Sequence, residues 1–194
     1  MKTKNGFTLA EVLVTMGVIG VISAMVVPQV VTNVEKNKAG LTLARAVEQI
    51  ELGCQGYIME DVDGQTLVSI KAGSSATTSS ARANKMKKFI DLKSEEVKKS
   101  LYVKAEDTIS LSSSDTDEAD KRVIAFSIDI NGTAKGQNQY GRDKFLFYLN
   151  NSCKMIPHGL DNNLEYKTKC ANGNFTDGKT CAARVVRDGY KITY

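Results

Sequence analysis

Two prolines and one histidine are all that the 194 residues hold of either type, and no low-complexity tract interrupts them. So little proline excludes a collagen-like or proline-rich fibre. A single histidine, with no C-x-x-C pair, argues against a structural zinc site. Charge of one sign is scarce as well: 26 basic against 22 acidic residues leave a formal +4. That excess is too small and too dispersed to mark a nucleic-acid binder by composition. A mean hydropathy of −0.24 excludes a multi-span membrane protein but leaves room for one span. No nucleophile elbow, phosphate-binding loop, H-E-x-x-H or paired-carboxylate pattern is present, so the sequence offers no enzyme. What is there is 42% hydrophobic and 25% charged, which suits one soluble domain with an appendage.

The appendage is the start of the chain. Lys2 and Lys4 precede Gly6, Phe7, Thr8, Leu9, Ala10 and Glu11. An apolar run then extends from Val12 to Val27, broken only by Thr15, Ser23 and glycines, and Pro28, Gln29, Val30 and Val31 follow. Residues 12–31 are twenty positions, the length of one membrane span. Lys2 and Lys4 keep the preceding residues cytoplasmic by the positive-inside rule. A secretory signal peptide accounts for the basic start, but not for Glu11 or for the length of the run, and no good A-x-A-like site comes before Asn33. A plain anchor leaves Glu11 unexplained too. A carboxylate costs about 2.5–3.5 kcal/mol at the centre of a membrane helix, and less near its end.

The ordered run Gly6-Phe7-Thr8-Leu9-Ala10-Glu11 resembles the processing site of type IV pilins and type II secretion pseudopilins. The resemblance implies cleavage between Gly6 and Phe7 by a membrane prepilin peptidase, which then N-methylates Phe7. Glu11 becomes the fifth residue of the mature chain. Its carboxylate is expected to pair with the N-terminal amine of a neighbouring subunit during assembly. Methylation keeps that amine cationic, and opposite charges attract strongly where water does not screen them. Snorkelling of Glu11 to the headgroups is the alternative before assembly. Gly17, Gly20 and Pro28 are similar to the family's helix. The glycines weaken a helix and admit close neighbours, although ordinary membrane-helix composition explains them as well. At Pro28 a kink or local melting is expected. Loss of Met1 to Gly6 removes Lys2 and Lys4 and lowers the formal side-chain charge from +4 to +2.

Beyond the apolar run, Leu43, Val47, Ile50, Cys54 and Tyr57/Ile58 recur at helical spacing, with Arg45, Glu48, Gln49 and Glu51 between them. One helix from Phe7 to about Met59 is therefore expected, on the order of 80 Å long. Its second half would lay one stripe on a globular head. Asp63-Gly64 and residues 73–80 read as loop, and Ser94 as the cap of a further helix. Residues 82–104 are basic, from Arg82 to Lys104, and residues 105–120 acidic. The pair of blocks reads as two solvated surfaces, or as complementary contacts between subunits. Val123–Ile130 and residues 144–149 read as strands, with Asn131-Gly132 as a turn between them. Residues 183–194 read as a strand, an Asp188-Gly189 turn and a final short strand. The fold class is α+β: a long N-terminal helix packed on a small antiparallel sheet, pilin-like. The expected division is a leader at 1–6, a transmembrane and assembly helix at 7–31, and a head at 32–194 that includes the rest of the helix. The stretch from Ile128 to Phe145 also looks similar to a hairpin of many bacterial pilin-like proteins.

Four cysteines, at 54, 153, 170 and 181, allow three pairings. An oxidising compartment favours disulfides over free thiols. Cys170–Cys181 is preferred because it closes twelve residues rich in Asn, Gly and Asp, and Cys54–Cys153 would then tie the helix to the sheet. A loop of that length stabilises by roughly 3 kcal/mol. Asp129, Asn131 and Asp143 are oxygen donors of the kind Ca²⁺ takes. Some major pseudopilins bind calcium in a C-terminal loop, but these residues do not reproduce that motif, and turn-capping is the stronger reading. His158, between Pro157 and Gly159, reads as a loop residue. No other cofactor is called for.

The resemblance implies a structural subunit, not an enzyme. Its partners are copies of itself, other pilins or pseudopilins, the prepilin peptidase and methylase, and an inner-membrane assembly platform. Before assembly the subunit is a single-pass inner-membrane protein with a periplasmic head; afterwards it belongs to a pilus or pseudopilus. The alternative is a minor or tip pilin that binds DNA, a surface or a secreted substrate, for which the block from Arg82 to Lys104 is the sole support.

Overall fold

The computed structural model describes residues 6–61, 79–90, 101–107, 122–132, 134, 136, 138–160, 169–170 and 178–193. Ser94, Asp63-Gly64, residues 73–78 and most of the acidic run lie outside them. Two compact units divide the chain, Met1–Lys38 and Ala39–Tyr194. Helix α1, Leu9–Asp61, contributes to both. It is followed by α2 (Ser79–Lys85), β1 (Tyr102–Ala105), β2 (Arg122–Asp129), β3 (Lys144–Asn150), β4 (Met155–Pro157), a 3-10 turn (Gly178–Thr180) and α3 (Cys181–Arg187).

In the first unit the described side chains are exposed, from Phe7 to Lys38. The most apolar eighteen-residue stretch of α1 has a mean hydropathy of 2.2 and none of it is buried. This helix is long and apolar enough to cross a membrane. It continues through Pro28. One proline removes a single donor from the ladder, and the turns on either side keep theirs. A side chain at Gly17 or Gly20 would meet nothing within 4 Å.

In the second unit α1 turns its periodic stripe inward. Leu43, Val47, Ile50, Cys54 and Tyr57 are buried there, and Ile58 partly so. They share one core with a sheet of order β1-β2-β3-β4, in which every pair is antiparallel. Alternation selects the face of the sheet. Ile124 opposes Leu149, Phe126 opposes Phe147 and Ile128 opposes Phe145, and all six join the core. Each such side chain contributes roughly 1.5–3 kcal/mol by leaving water. The other face carries a smaller cluster of Ala125, Leu146 and Tyr148, with Tyr140 and Ile156 against it.

Two tight approaches need glycine on α1. At Gly40 a Cβ would strike the carbonyl oxygen of Tyr190. At Gly53 it would lie 2.5 Å from Ile90 Cγ1 and 2.7 Å from the Phe89 carbonyl oxygen.

The C-terminal strand pair is not formed. Residues 181–187 are helix α3 instead. Val185 and Val186 favour a strand locally, but Cys181, Ala182 and Val185 fall on one helical face and are fully buried. Burial outweighs propensity differences of a few tenths of a kcal/mol. Asp188-Gly189 is the helix stop, not a hairpin turn. Gly189 has φ +68°, its N–H donates to Val186 O at 3.1 Å, and Tyr190 N–H donates to Val185 O at 2.7 Å. That pair of bonds is a Schellman cap, which requires a left-handed residue and so favours glycine. Ser79 and Ser80, read as loop, open α2; β1 and β4 carry no local signal of their own and were not anticipated.

Candidate processing and assembly site

Gly6, Phe7 and Thr8 precede α1 outside any regular element. Phe7 is 89% exposed, and a Cβ at Gly6 would meet nothing within 4 Å among the described residues. Among the described residues nothing covers the peptide between them. Thr8 and Glu11 close the helix start on each other. Thr8 N–H and Thr8 Oγ1 both donate to Glu11 Oε2 at 2.8 Å, and Glu11 N–H donates to Thr8 Oγ1 at 3.3 Å. Thr-x-x-Glu is a capping box, in which the first residue and the fourth satisfy each other's backbone donors. Its carboxylate also lies at the positive end of the helix dipole. So Glu11 has a partner within its own chain, and one that needs no neighbour. Thr8 is the residue that sequence reasoning missed, although the Thr8-Leu9-Ala10-Glu11 spacing was legible. Glu11 Oε1 takes no hydrogen bond among the described residues.

Both cysteine pairs are bonded: Cys54 to Cys153, with Cα atoms 5.5 Å apart, and Cys170 to Cys181, 5.3 Å apart. The first joins α1 to the turn between β3 and β4. One turn earlier on the same helix, Glu51 Oε1 accepts Met155 N–H at 2.8 Å, and its Oε2 lies 3.5 Å from Lys154 Nζ. Covalent and hydrogen bonds thus hold residues 153–155 to two successive turns of α1. The second disulfide sits at the start of α3, where Arg184 Nη1 also donates to Cys170 O.

The three calcium candidates meet in the loop between β2 and β3, where the Asp129 and Asp143 oxygens serve the turn and Asn131 Oδ1 is buried with no hydrogen-bond partner among the described residues. Asp129 Oδ1 accepts Asn131 N–H at 3.1 Å and Gly132 N–H at 2.8 Å. Asp143 accepts Asn138 N–H at 3.0 Å and Gln139 N–H at 2.8 Å, one on each oxygen. The Asp129 bonds are those of an Asx-type cap, while Asp143 reaches back to N–H groups four and five residues earlier. No group of three His, Cys, Asp or Glu suited to a metal occurs among the described residues. Burial pushes the Asp129 carboxyl above its ordinary value, and Asp143 adds to the shift; the Asn131 and Gly132 N–H bonds and Lys144 oppose it. A carboxyl raised in the folded state contributes stability at low pH and loses it as pH rises through the folded value. Asp129→Asn, which keeps an accepting oxygen, is therefore expected to raise the head's melting temperature near neutral pH. Below the ordinary carboxylate value of 3.8 the gain should vanish. Thermal scans at both pH values check it, and an equal gain at both would refute the charge argument.

His158 accepts or donates one hydrogen bond with Tyr148 Oη, at 2.8 Å through Nδ1, just beyond β4. The basic residues Lys85, Lys87, Lys88 and Lys104 are exposed.

Residues 1–27 match the prokaryotic N-terminal methylation motif. No curated protein and no solved structure matches the chain. The open Gly6–Phe7 peptide, the capped Glu11 and the bare apolar helix behind them all fall on that match or continue it. The chain thus carries the prepilin motif of type IV pilins and pseudopilins, on a long N-terminal helix packed with a four-stranded antiparallel sheet.

Proposed function

We propose that this chain is the structural subunit of a type IV pilus-like or type II secretion pseudopilus filament, matured by prepilin peptidase. The observation that carries the reading is the methylation motif at residues 1–27, with an exposed peptide between Gly6 and Phe7. Cleavage there creates a cationic amine at Phe7, which is then methylated. Glu11 changes partner on assembly, from the Thr8 donors to the amine of a neighbouring subunit. The helix from Leu9 anchors the subunit in the inner membrane and later packs in the filament core. Gly17 and Gly20 leave room for a neighbouring helix to come close. Both disulfides suit a head that folds in an oxidising compartment, the periplasm. The partners are further copies, other pilins or pseudopilins, the peptidase and the assembly platform. Exposure of the four lysines is what a solvated surface gives, and it adds no support for a DNA-binding tip subunit.

The test is the mass of the mature N-terminal peptide. A chain that begins at N-methylated Phe7 is expected. One that keeps Met1, or is cut near residue 25, would return the protein to a plain anchor or a secreted domain.

A further inference from the structure

In the second unit, α1 carries a seam on the side away from its own core. Leu41, Arg45, Glu48, Leu52, Gln55 and Met59 are all exposed. They follow at steps of four and three residues, so at ~100° per residue they occupy about 80° of arc. Leu43, Ile50 and Cys54 face the opposite way, into the core. Leu41, Leu52 and Met59 are 53%, 59% and 79% exposed, although nothing in the head's own packing requires apolar residues there. Alternating steps of four and three are those of the seam between two packed helices. Arg45 and Glu48 lie between the two leucines, and neither makes an ion pair or hydrogen bond among the described residues.

The two charges of the seam complement each other under a shift. Two parallel copies in register would set Arg45 against Arg45 and Glu48 against Glu48, which repels. A shift of three residues, ~4.5 Å along the axis, sets Arg45 of one copy against Glu48 of the other. Copies anchored by the same N-terminal span in one membrane are necessarily parallel. We propose that the seam docks a second copy of this chain, parallel and axially offset, with Arg45 of one paired to Glu48 of the next. The proposal rests on the filament reading above and extends it from the membrane segment to named residues of the head.

The test is a charge exchange in the full-length chain. Arg45→Glu, Glu48→Arg and the double exchange are each overproduced in the native host, and filaments recovered by shearing are quantified. Each single exchange should lower the yield about ten-fold or more by setting like charges together. The double exchange should return it to within about two-fold of the original chain, as coupling across one contact requires. Melting temperatures of the detergent-solubilised variants control for folding. Wild-type yields from the single variants, or a double variant no better than the singles while equally folded, would overturn the seam alone. Absence of filaments from the unaltered chain would overturn the filament reading, and the docking with it.

Discussion

Replacing Cys54 and Cys153 together by alanine is expected to remove about 4–5 kcal/mol from the stability of the head. The pair is separated by 99 residues, so the bond closes most of the head into one loop. Freeing that loop enlarges the unfolded ensemble, and the cost rises with the logarithm of loop length. Typical domains have only about 5–15 kcal/mol in total. The double variant should therefore unfold early in urea or fail to accumulate. Breaking Cys170–Cys181, separated by 11 residues, should cost less, near 3 kcal/mol. The chain has no tryptophan, so tyrosine near-ultraviolet circular dichroism is the signal to follow. The Glu51–Met155 hydrogen bond lies beside the first disulfide and still holds the hairpin when the bond is gone. A measured loss under about 1 kcal/mol would mean that this bond and the core carry the helix–hairpin contact alone.

The second large effect is a reversal of sign between two glycines of the same helix. Alanine for glycine inside a helix normally gains about 1 kcal/mol. Gly17→Ala should show that gain in helix content, because, apart from the helix's own adjacent backbone, no atom of the described residues lies within 4 Å of the added methyl. Gly40→Ala should destabilise the head, by about 1–3 kcal/mol net, since the methyl meets backbone rather than a side chain. The obstacle is the carbonyl of Tyr190, whose own N–H is held by Val185 O at 2.7 Å. Relief requires the whole segment after α3 to move, and with it Tyr190 and Ile192, which pack on the core. A lowered melting temperature for Gly40→Ala, with circular dichroism showing unchanged or higher helix content for Gly17→Ala, is the expected outcome. A Gly40→Ala chain as stable as the parent would refute the close approach.

Legibility followed the range of the forces involved. The apolar run from Val12, the Gly6–Glu11 order and the stripe from Leu43 to Tyr57 all reflect local pattern, and each was readable. Strands β2 and β3 were readable because their residues are β-branched or aromatic and a strong turn signal separates them. Residues 181–187 look like a strand locally because Val185 and Val186 are β-branched, and only the burial of Cys181, Ala182 and Val185 on one face makes them helix α3. Strands β1 and β4 were missed because they are short and owe their form to a partner strand: Tyr102–Ala105 pairs with Phe126–Asp129, and Met155–Pro157 with Phe147–Leu149.

The sequence by itself determined the apolar N-terminal run, the methylation motif and the face of α1 that is buried. Hydrophobic periodicity and composition act through solvent, whether water or lipid, and need no specific partner. Tertiary structure alone decided that residues 181–187 are a helix, that Gly40 must be small, and that Glu51 reaches Met155 across 104 residues. Each of these depends on which atoms meet after the chain has closed on itself. Close packing and buried hydrogen bonds are set within tenths of an ångström, between residues that no local pattern connects.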